Sequence, residues 1–156
     1  MLSKKQSQGF SLIEMLVVLA TTIIVATIVV DSFSKTTGPK ALDRNIRVAL
    51  SLIEQARNAT LSAKNSSVYG VHFETTKAVM FTGSSYSDSA PSNIVEPMGS
   101  VVQISAISLS GGGSNVIFNR LTGETGQSGT VKLSLIASST QSKTITIFAT
   151  GLAESK

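Results

Sequence analysis

The longest uncharged apolar stretch of the chain lies near its N-terminus. Residues 15–30 carry no charge and are interrupted only by three threonines. At 1.5 Å per residue they would form roughly 24 Å of helix, which is short of the ~30 Å hydrocarbon core of a bilayer. Counting back to Phe10 gives roughly 31 Å, enough to span. The pattern therefore predicts a transmembrane helix that begins at Phe10 and contains one acid, Glu14.

Glu14 is costly in such a segment. An acid at the centre of a membrane helix costs on the order of 2.5–3.5 kcal/mol, and less near an end, so acids within membrane spans are functional candidates by default. A simple membrane anchor has no use for this carboxylate. Glu14 is therefore the first candidate functional residue of the chain.

A second helical pattern follows a polar segment. Gly38-Pro39 predicts a break or kink, because proline lacks an amide donor and disfavours helix at the preceding residue. Beyond it, apolar and small residues recur at alternating steps of four and three, which predicts an amphipathic helix over residues 40–64. The stripe consists of Leu42, Ile46, Ala49, Ile53, Ala56 and Thr60.

From residue 67 to about residue 150 the pattern changes to short runs rich in β-branched residues, separated by turns. Residues 68–73 and 78–81 read as a hairpin, residues 86–93 as a polar loop, and residues 101–109, 115–118, 130–136 and 143–148 as further strands. Polar and apolar positions alternate in the last two runs, so each strand has one solvated face. The predicted fold is α+β, with the helix packed on an antiparallel sheet.

Composition narrows the function classes. The chain has 156 residues, about one domain plus a membrane element, and a formal net charge of +4. Lys4 and Lys5 precede the apolar run, and without the first nine residues 11 basic and nine acidic residues leave +2. Such a weak, scattered excess does not predict a nucleic-acid interface.

Candidate catalytic and metal-binding chemistry is sparse. The absence of cysteine rules out disulfides, thiolate metal sites and a cysteine nucleophile. The single histidine, His72, lies within a predicted strand and has no second ligand at metal-binding spacing, so a packed or solvated strand residue is the better interpretation. We therefore expect no catalytic residues, no metal site and no cofactor.

An ordinary secretory signal is the first alternative for the N-terminus. It would end in a small-residue cleavage site after the apolar run, and residues 29–33 offer none. The small residue Gly9 instead precedes the apolar segment, so cleavage there would remove the basic leader and keep the helix. The basic residues before the span and Asp31 after it place the leader in the cytoplasm and the C-terminal part outside.

The segment from Gly9 to Glu14, with sequence GFSLIE, followed by MLVVLA, resembles the class III signal of type IV pilins and type II secretion pseudopilins. The resemblance implies that prepilin peptidase cleaves after Gly9 and methylates the new amino group of Phe10. It implies a leader over residues 1–9, a transmembrane and assembly helix over residues 10–37, and a globular pilin domain over residues 38–156. It also implies residence in the bacterial inner membrane before incorporation into a pilus or pseudopilus, with membrane lipid, an inner-membrane assembly platform and other pilin subunits as partners.

A second resemblance is to the minor pseudopilin subgroup called GspH or FimT. It rests on residues 56–59, 68–73 and 116–118, on Gly123, and on a final strand pair ending at Gly151. A DNA-uptake member would carry an arginine-rich C-terminal region, whereas residues 142–156 contain two lysines and one glutamate, so DNA capture is a minor hypothesis. The lack of cysteine excludes the C-terminal disulfide loop of many major pilins.

Two function classes follow. The first is a structural subunit, a minor pseudopilin or minor pilin in preference to a major pilin. The second is a monomeric, membrane-anchored module that binds an adhesion partner or DNA through its serine- and glycine-rich loops. Glu14 favours the first class.

Overall fold

The structure is a computed structural model that describes the backbone of residues 11–156 and the side chains of residues 11–27 and 37–156. The predicted leader and Phe10 lie outside the described residues. The chain divides between Thr37 and Gly38 into two compact units, which are described separately below.

One α-helix, α1, runs from Leu12 to Leu61 and includes Pro39. The helix is therefore not broken at Gly38-Pro39, because proline removes only one hydrogen bond of the helical ladder and the residues on both sides supply the rest. Of the predicted break or kink, the break is wrong and the kink stays a prediction. The helix also ends before residue 64, the expected limit. Ala63 adopts a left-handed backbone with φ 49°, which stops the helix, and a single 3₁₀ turn follows over Lys64–Ser66.

Eight strands follow the helix: β1 (Tyr69–Glu74), β2 (Lys77–Thr82), β3 (Ile94–Pro97), β4 (Val102–Leu109), β5 (Asn115–Ile117), β6 (Gly129–Leu135), β7 (Ser142–Ile147) and β8 (Ala153–Ser155). They form two four-stranded sheets of order β3-β2-β1-β5 and β4-β6-β7-β8, here called the first and second sheets. The strand pairings within them are antiparallel. The α+β fold is thus confirmed.

The predicted hairpin forms, with Tyr69 opposite Thr82 and Glu74 opposite Lys77. The four later predicted runs also lie in β4 to β7. The sequence pattern does not predict β3 or β8, and it predicts one sheet where the structure has two. Both missed strands are short edge strands of three or four residues, so neither contains enough alternation to be distinguished from a loop.

The core of the unit Gly38–Lys156 lies between the second half of α1 and both sheets. Its helix residues are the five apolar residues of the predicted stripe together with Leu52, and they form one buried cluster with strand residues of both sheets. Thr60, the sixth stripe residue, is also buried. Alternation in β6 follows the prediction from Val131 to Leu133, with Lys132 exposed between two buried residues, but it is wrong at Ser134, which is fully buried although the alternation places it on the solvated face. The small residues Ala49 and Ala56 are fully buried, which allows the backbones to approach closely.

Candidate functional site

The first part of α1 exposes apolar side chains around its whole circumference. The ten large apolar residues between Leu12 and Val25 are each 54 to 80% exposed. A helix of a soluble protein normally buries one apolar stripe and presents a polar face to water. This segment has no polar face, so its side chains need lipid or other helices around them.

The three threonines of this segment do not interrupt its apolar surface. Thr22 donates its hydroxyl to the carbonyl oxygen of Val18 at 2.7 Å, and Thr27 donates to that of Ile24 at 2.8 Å. Thr21 is placed within 3.0 Å of the carbonyl oxygens of Val17 and Val18. Because these hydroxyls are satisfied by their own helix, they can enter an apolar environment at low cost.

Glu14 lies in the first turn of α1 and is exposed. It is the only charged residue between positions 11 and 30. A carboxylate in the first turn interacts favourably with the unpaired amide groups of a helix N-terminus. Glu14 is thus one acid in an otherwise uncharged segment of α1, residues 12–30, whereas Gly9 and Phe10, the predicted cleavage and methylation residues, lie outside the described residues.

Over the residues that the structure describes, no helix is both long enough and apolar enough to cross a bilayer. The span predicted from the sequence begins at Phe10, outside those residues.

His72 lies in a polar cluster on the first sheet, where both nitrogens and the face of its ring have neighbours. Its ring stacks on Tyr86 with centroids 3.9 Å apart, its Nδ1 lies 2.6 Å from Oδ1 of Asn115, and its Nε2 lies 3.3 Å from Oε1 of Glu74. His72 is partly buried, so the structure agrees with a packed strand residue. Among the described side chains, no group of three or more His, Asp or Glu could hold a metal ion.

The same cluster contains an ion pair that fastens the loop after β2. Lys77 Nζ donates to Asp88 Oδ1 at 2.8 Å, and Tyr86 donates to the same oxygen at 2.8 Å. These bonds hold the pKa of Asp88 below its usual value, and the bond to Asp88 raises the pKa of Lys77. Partial burial, followed by the bond to Asp88, raises the pKa of Tyr86. We interpret the cluster as structural, because its hydrogen-bonding groups bond to one another. The ion pair between Lys77 and Asp88 is here called the clasp.

Two turns meet near the end of α1, at residues that the sequence pattern did not mark as functional candidates. Arg57 donates from Nε to the carbonyl oxygen of Gly123 at 3.1 Å, and a Cβ atom at Gly151 would overlap that same oxygen. Both glycines have positive φ, 67° and 77°. Leucines beside them, Leu121 and Leu152, are exposed. The sequence signal is the presence of large apolar residues in glycine-containing turns, where polar residues are usual.

Comparison with known proteins identifies the N-terminal segment. Residues 4–30 match the family model described as the prokaryotic N-terminal methylation motif. No curated protein and no solved structure matches the chain. The match includes Gly9, Phe10 and Glu14 and extends through most of the exposed apolar helix. Residues 4–30 are therefore a type IV pilin-type prepilin signal, which implies processing by prepilin peptidase and assembly with other pilins.

Proposed function

We propose that this chain is a structural subunit of a type II secretion pseudopilus or a type IV pilus, and that it assembles through its N-terminal helix. The observation that carries the proposal is the coincidence of the prepilin-type signal with a helix whose apolar side chains are exposed on all sides. Prepilin peptidase would cleave after Gly9 and methylate Phe10. The inner membrane would hold the helix until the assembly platform transfers the subunit into a filament.

Glu14 has a specific role in this proposal. After cleavage, the ammonium group of Phe10 lies four residues from Glu14, so each subunit brings one cation and one anion into an apolar layer. Both groups are costly there when unpaired. If the Phe10 ammonium of one subunit meets the Glu14 carboxylate of its neighbour, both are neutralised and the axial register is fixed, because a slipped subunit would leave two unpaired charges.

The test compares the membrane pool with the sheared-filament fraction for wild type and Glu14→Leu. We expect the variant to be cleaved and inserted normally and to enter filaments poorly. Glu54→Leu, at an exposed acid of the second half of α1, is the matched control and should assemble normally. Equal incorporation of wild type and Glu14→Leu would refute the register role and favour a simple membrane anchor.

Within this class we propose a minor pseudopilin or minor pilin. The resemblance of residues 56–59, 68–73 and 116–118 to the GspH/FimT subgroup supports the minor form over a major pilin. The alternative, a monomeric binding module anchored in the membrane, would not require Glu14. The genes that neighbour this one would separate a secretion system from a pilus or a competence system.

A further inference from the structure

Two large apolar side chains are exposed at the end of the folded unit that contains Gly38, its first residue. A Cβ atom at Gly38 would lie 2.7 Å from Cδ1 of Leu135. Ile136 follows Leu135 directly, and its amide donates to the carbonyl oxygen of Val101 at 3.0 Å. Ile136 is 58% exposed and Val101 is 45% exposed. An exposed apolar pair therefore lies where the chain enters the folded unit.

The exposed charges at this end are mainly basic. Lys40 and Arg44 lie one helical turn apart on α1, shortly after Gly38, and both are exposed. Neither forms an ion pair with another described side chain. The acid between them, Asp43, is already paired with Lys143 of β7. The charge that is left without a partner here is therefore positive.

One further acid lies nearby. Glu96 lines a groove beside α1 that Arg44 and Arg47 also line. Glu96 is half-buried, whereas both arginines and Lys40 are exposed. Three cations thus face one acid, and the balance stays basic. We call the surface formed by Lys40, Arg44, Val101 and Ile136 the base surface.

The base surface is within reach of a bilayer that holds the N-terminal helix. The apolar run ends at Val30, so seven residues separate it from Gly38, and α1 is continuous through them. Seven helical residues cover roughly 10 Å, and the headgroup layer on one side of a bilayer is about 5–8 Å thick. Membrane helices are tilted by about 20° on average, which brings one side of an attached unit closer to the lipid. The end of α1 at Leu61 is roughly 35 Å farther along the helix.

We propose that the base surface binds the anionic lipid headgroups of the membrane before the subunit enters a filament. This inference rests on the proposed function, since it requires the N-terminal helix to lie in the bilayer. Val101 and Ile136 enter the interface, and Lys40 and Arg44 bind lipid phosphates. Apolar area and basic charge together drive binding to an anionic membrane surface, and each basic residue close to that surface contributes about a fivefold preference.

The same charges disfavour a second copy of the chain as the occupant. Two base surfaces that face each other would bring Lys40 and Arg44 of both copies together, and juxtaposed like charges are unfavourable. An anionic bilayer instead presents phosphates over its whole surface. Because the chain connects the base surface to the membrane helix, the lipid is also present at high effective concentration.

The first test uses the absence of cysteine from the chain, which allows the fluorophore NBD to be attached at one introduced cysteine. Val101→Cys and Ile136→Cys report on the base surface. Leu121→Cys replaces an exposed apolar residue two positions before Gly123, which lies against Leu61, and is the matched control. The full-length labelled chains are reconstituted in vesicles of phosphatidylcholine, alone or mixed with phosphatidylglycerol. Quenching by headgroup spin-labelled lipid is then measured.

In the mixed vesicles we expect quenching at positions 101 and 136 to exceed that at position 121 about threefold or more, and to fall as salt is raised. Equal quenching at the three positions would overturn the inference. So would equal quenching with and without phosphatidylglycerol. A chain that does not float with the vesicles would contradict the proposed function itself.

The second test reverses the charge of the base surface with Lys40→Glu combined with Arg44→Glu. Because both side chains are exposed and unpaired among the described residues, the thermal midpoint should stay at that of wild type. We expect the ratio of bound to unbound base surface, followed by quenching at position 136, to fall about tenfold or more. Lys64→Glu combined with Lys132→Glu, at two exposed lysines outside the base surface, is the matched control and should leave it unchanged. Equal quenching in the two double variants would overturn the inference.

A third measurement identifies the occupant in the cell. The photo-crosslinking residue p-benzoylphenylalanine at position 136 of the full-length chain, in membranes of its own host, should give an adduct with lipid. The same residue at position 121 should give none. A protein adduct at position 136 without a lipid adduct would show that a protein covers the base surface, and it would overturn the inference.

Discussion

At the scale of single residues, buried polar side chains fasten α1 to the strands. Thr60 is fully buried, accepts a hydrogen bond from the amide of Tyr69 at 2.9 Å, and donates to the carbonyl of Ala56 at 2.9 Å. Asn45 accepts from the amide of Gly99 at 2.9 Å. The helical period predicts that Thr60 faces the sheet, but its partner Tyr69 lies beyond the end of the helix and could not be predicted from periodicity.

Replacing Thr60 with valine tests this fastening. Valine keeps the shape but leaves the amide of Tyr69 without its acceptor, so we expect a loss of about 1–3 kcal/mol in the free energy of unfolding. Denaturant unfolding of the full chain in detergent measures it. Ser62→Ala removes an exposed hydroxyl of the same region and should change stability by less than about 0.5 kcal/mol. Equal effects of the two substitutions would contradict the role given to Thr60.

The clasp between Lys77 and Asp88 predicts a pH dependence. The bond from Lys77 lowers the pKa of Asp88 in the folded state below its ordinary 3.8. The stabilisation is therefore fully present above the unfolded pKa and is lost as the pH falls through the lower, folded value. In the Asp88→Asn variant, the free energy of unfolding should therefore fall less steeply below about pH 4 than in wild type. Urea unfolding between about pH 2.5 and 7 measures this difference. If the free energy of unfolding falls equally steeply at low pH in the variant and in wild type, the clasp contributes nothing to stability.

At the scale of elements, hydrophobic periodicity predicts the long strands and the core face of α1, because each spans enough residues to show its period. Pro39 disfavours helix locally, but it does not end α1, because the helix is continuous on both sides of it. The edge strands β3 and β8 depend on neighbours rather than on their own pattern.

Gly70 shows a contact that no local pattern encodes. It lies in the centre of the first sheet opposite Phe81, and a Cβ atom there would lie 2.6 Å from Phe81 Cζ and 2.7 Å from the carbonyl oxygen of Val116. Because backbone cannot yield easily, we expect Gly70→Ala to cost about 1–3 kcal/mol. Gly126→Ala, which meets open space, is the matched control and should be nearly neutral. A neutral Gly70→Ala in denaturant unfolding would contradict this packing.

At the scale of the whole molecule, one chain contains a unit with a buried apolar core and a helical segment whose apolar side chains are exposed. Residues from Gly38 onward contain the buried core, whereas large apolar residues of the first part of α1 are exposed. The sequence predicts this contrast and the N-terminal signal, because both are local patterns. It could not predict that the turns at Gly123 and Gly151 meet beside Arg57, because these residues come together only after folding.

A chain that lacks residues 1–37 should therefore be soluble, folded and largely monomeric. Its far-ultraviolet circular dichroism should show mixed helix and strand. A mostly helical or unfolded spectrum would contradict the independence of this unit.

The most direct test of the central claim is the intact mass and N-terminal sequence of the chain purified from sheared filaments of its own host. We expect a mature chain that begins at Phe10 with a methylated amino group, and a Gly9→Val variant that keeps Lys4 and Lys5 and stays in the membrane. A mature chain that begins after residue 30 would contradict it, since removal of the exposed helix leaves nothing through which the proposed subunit could assemble.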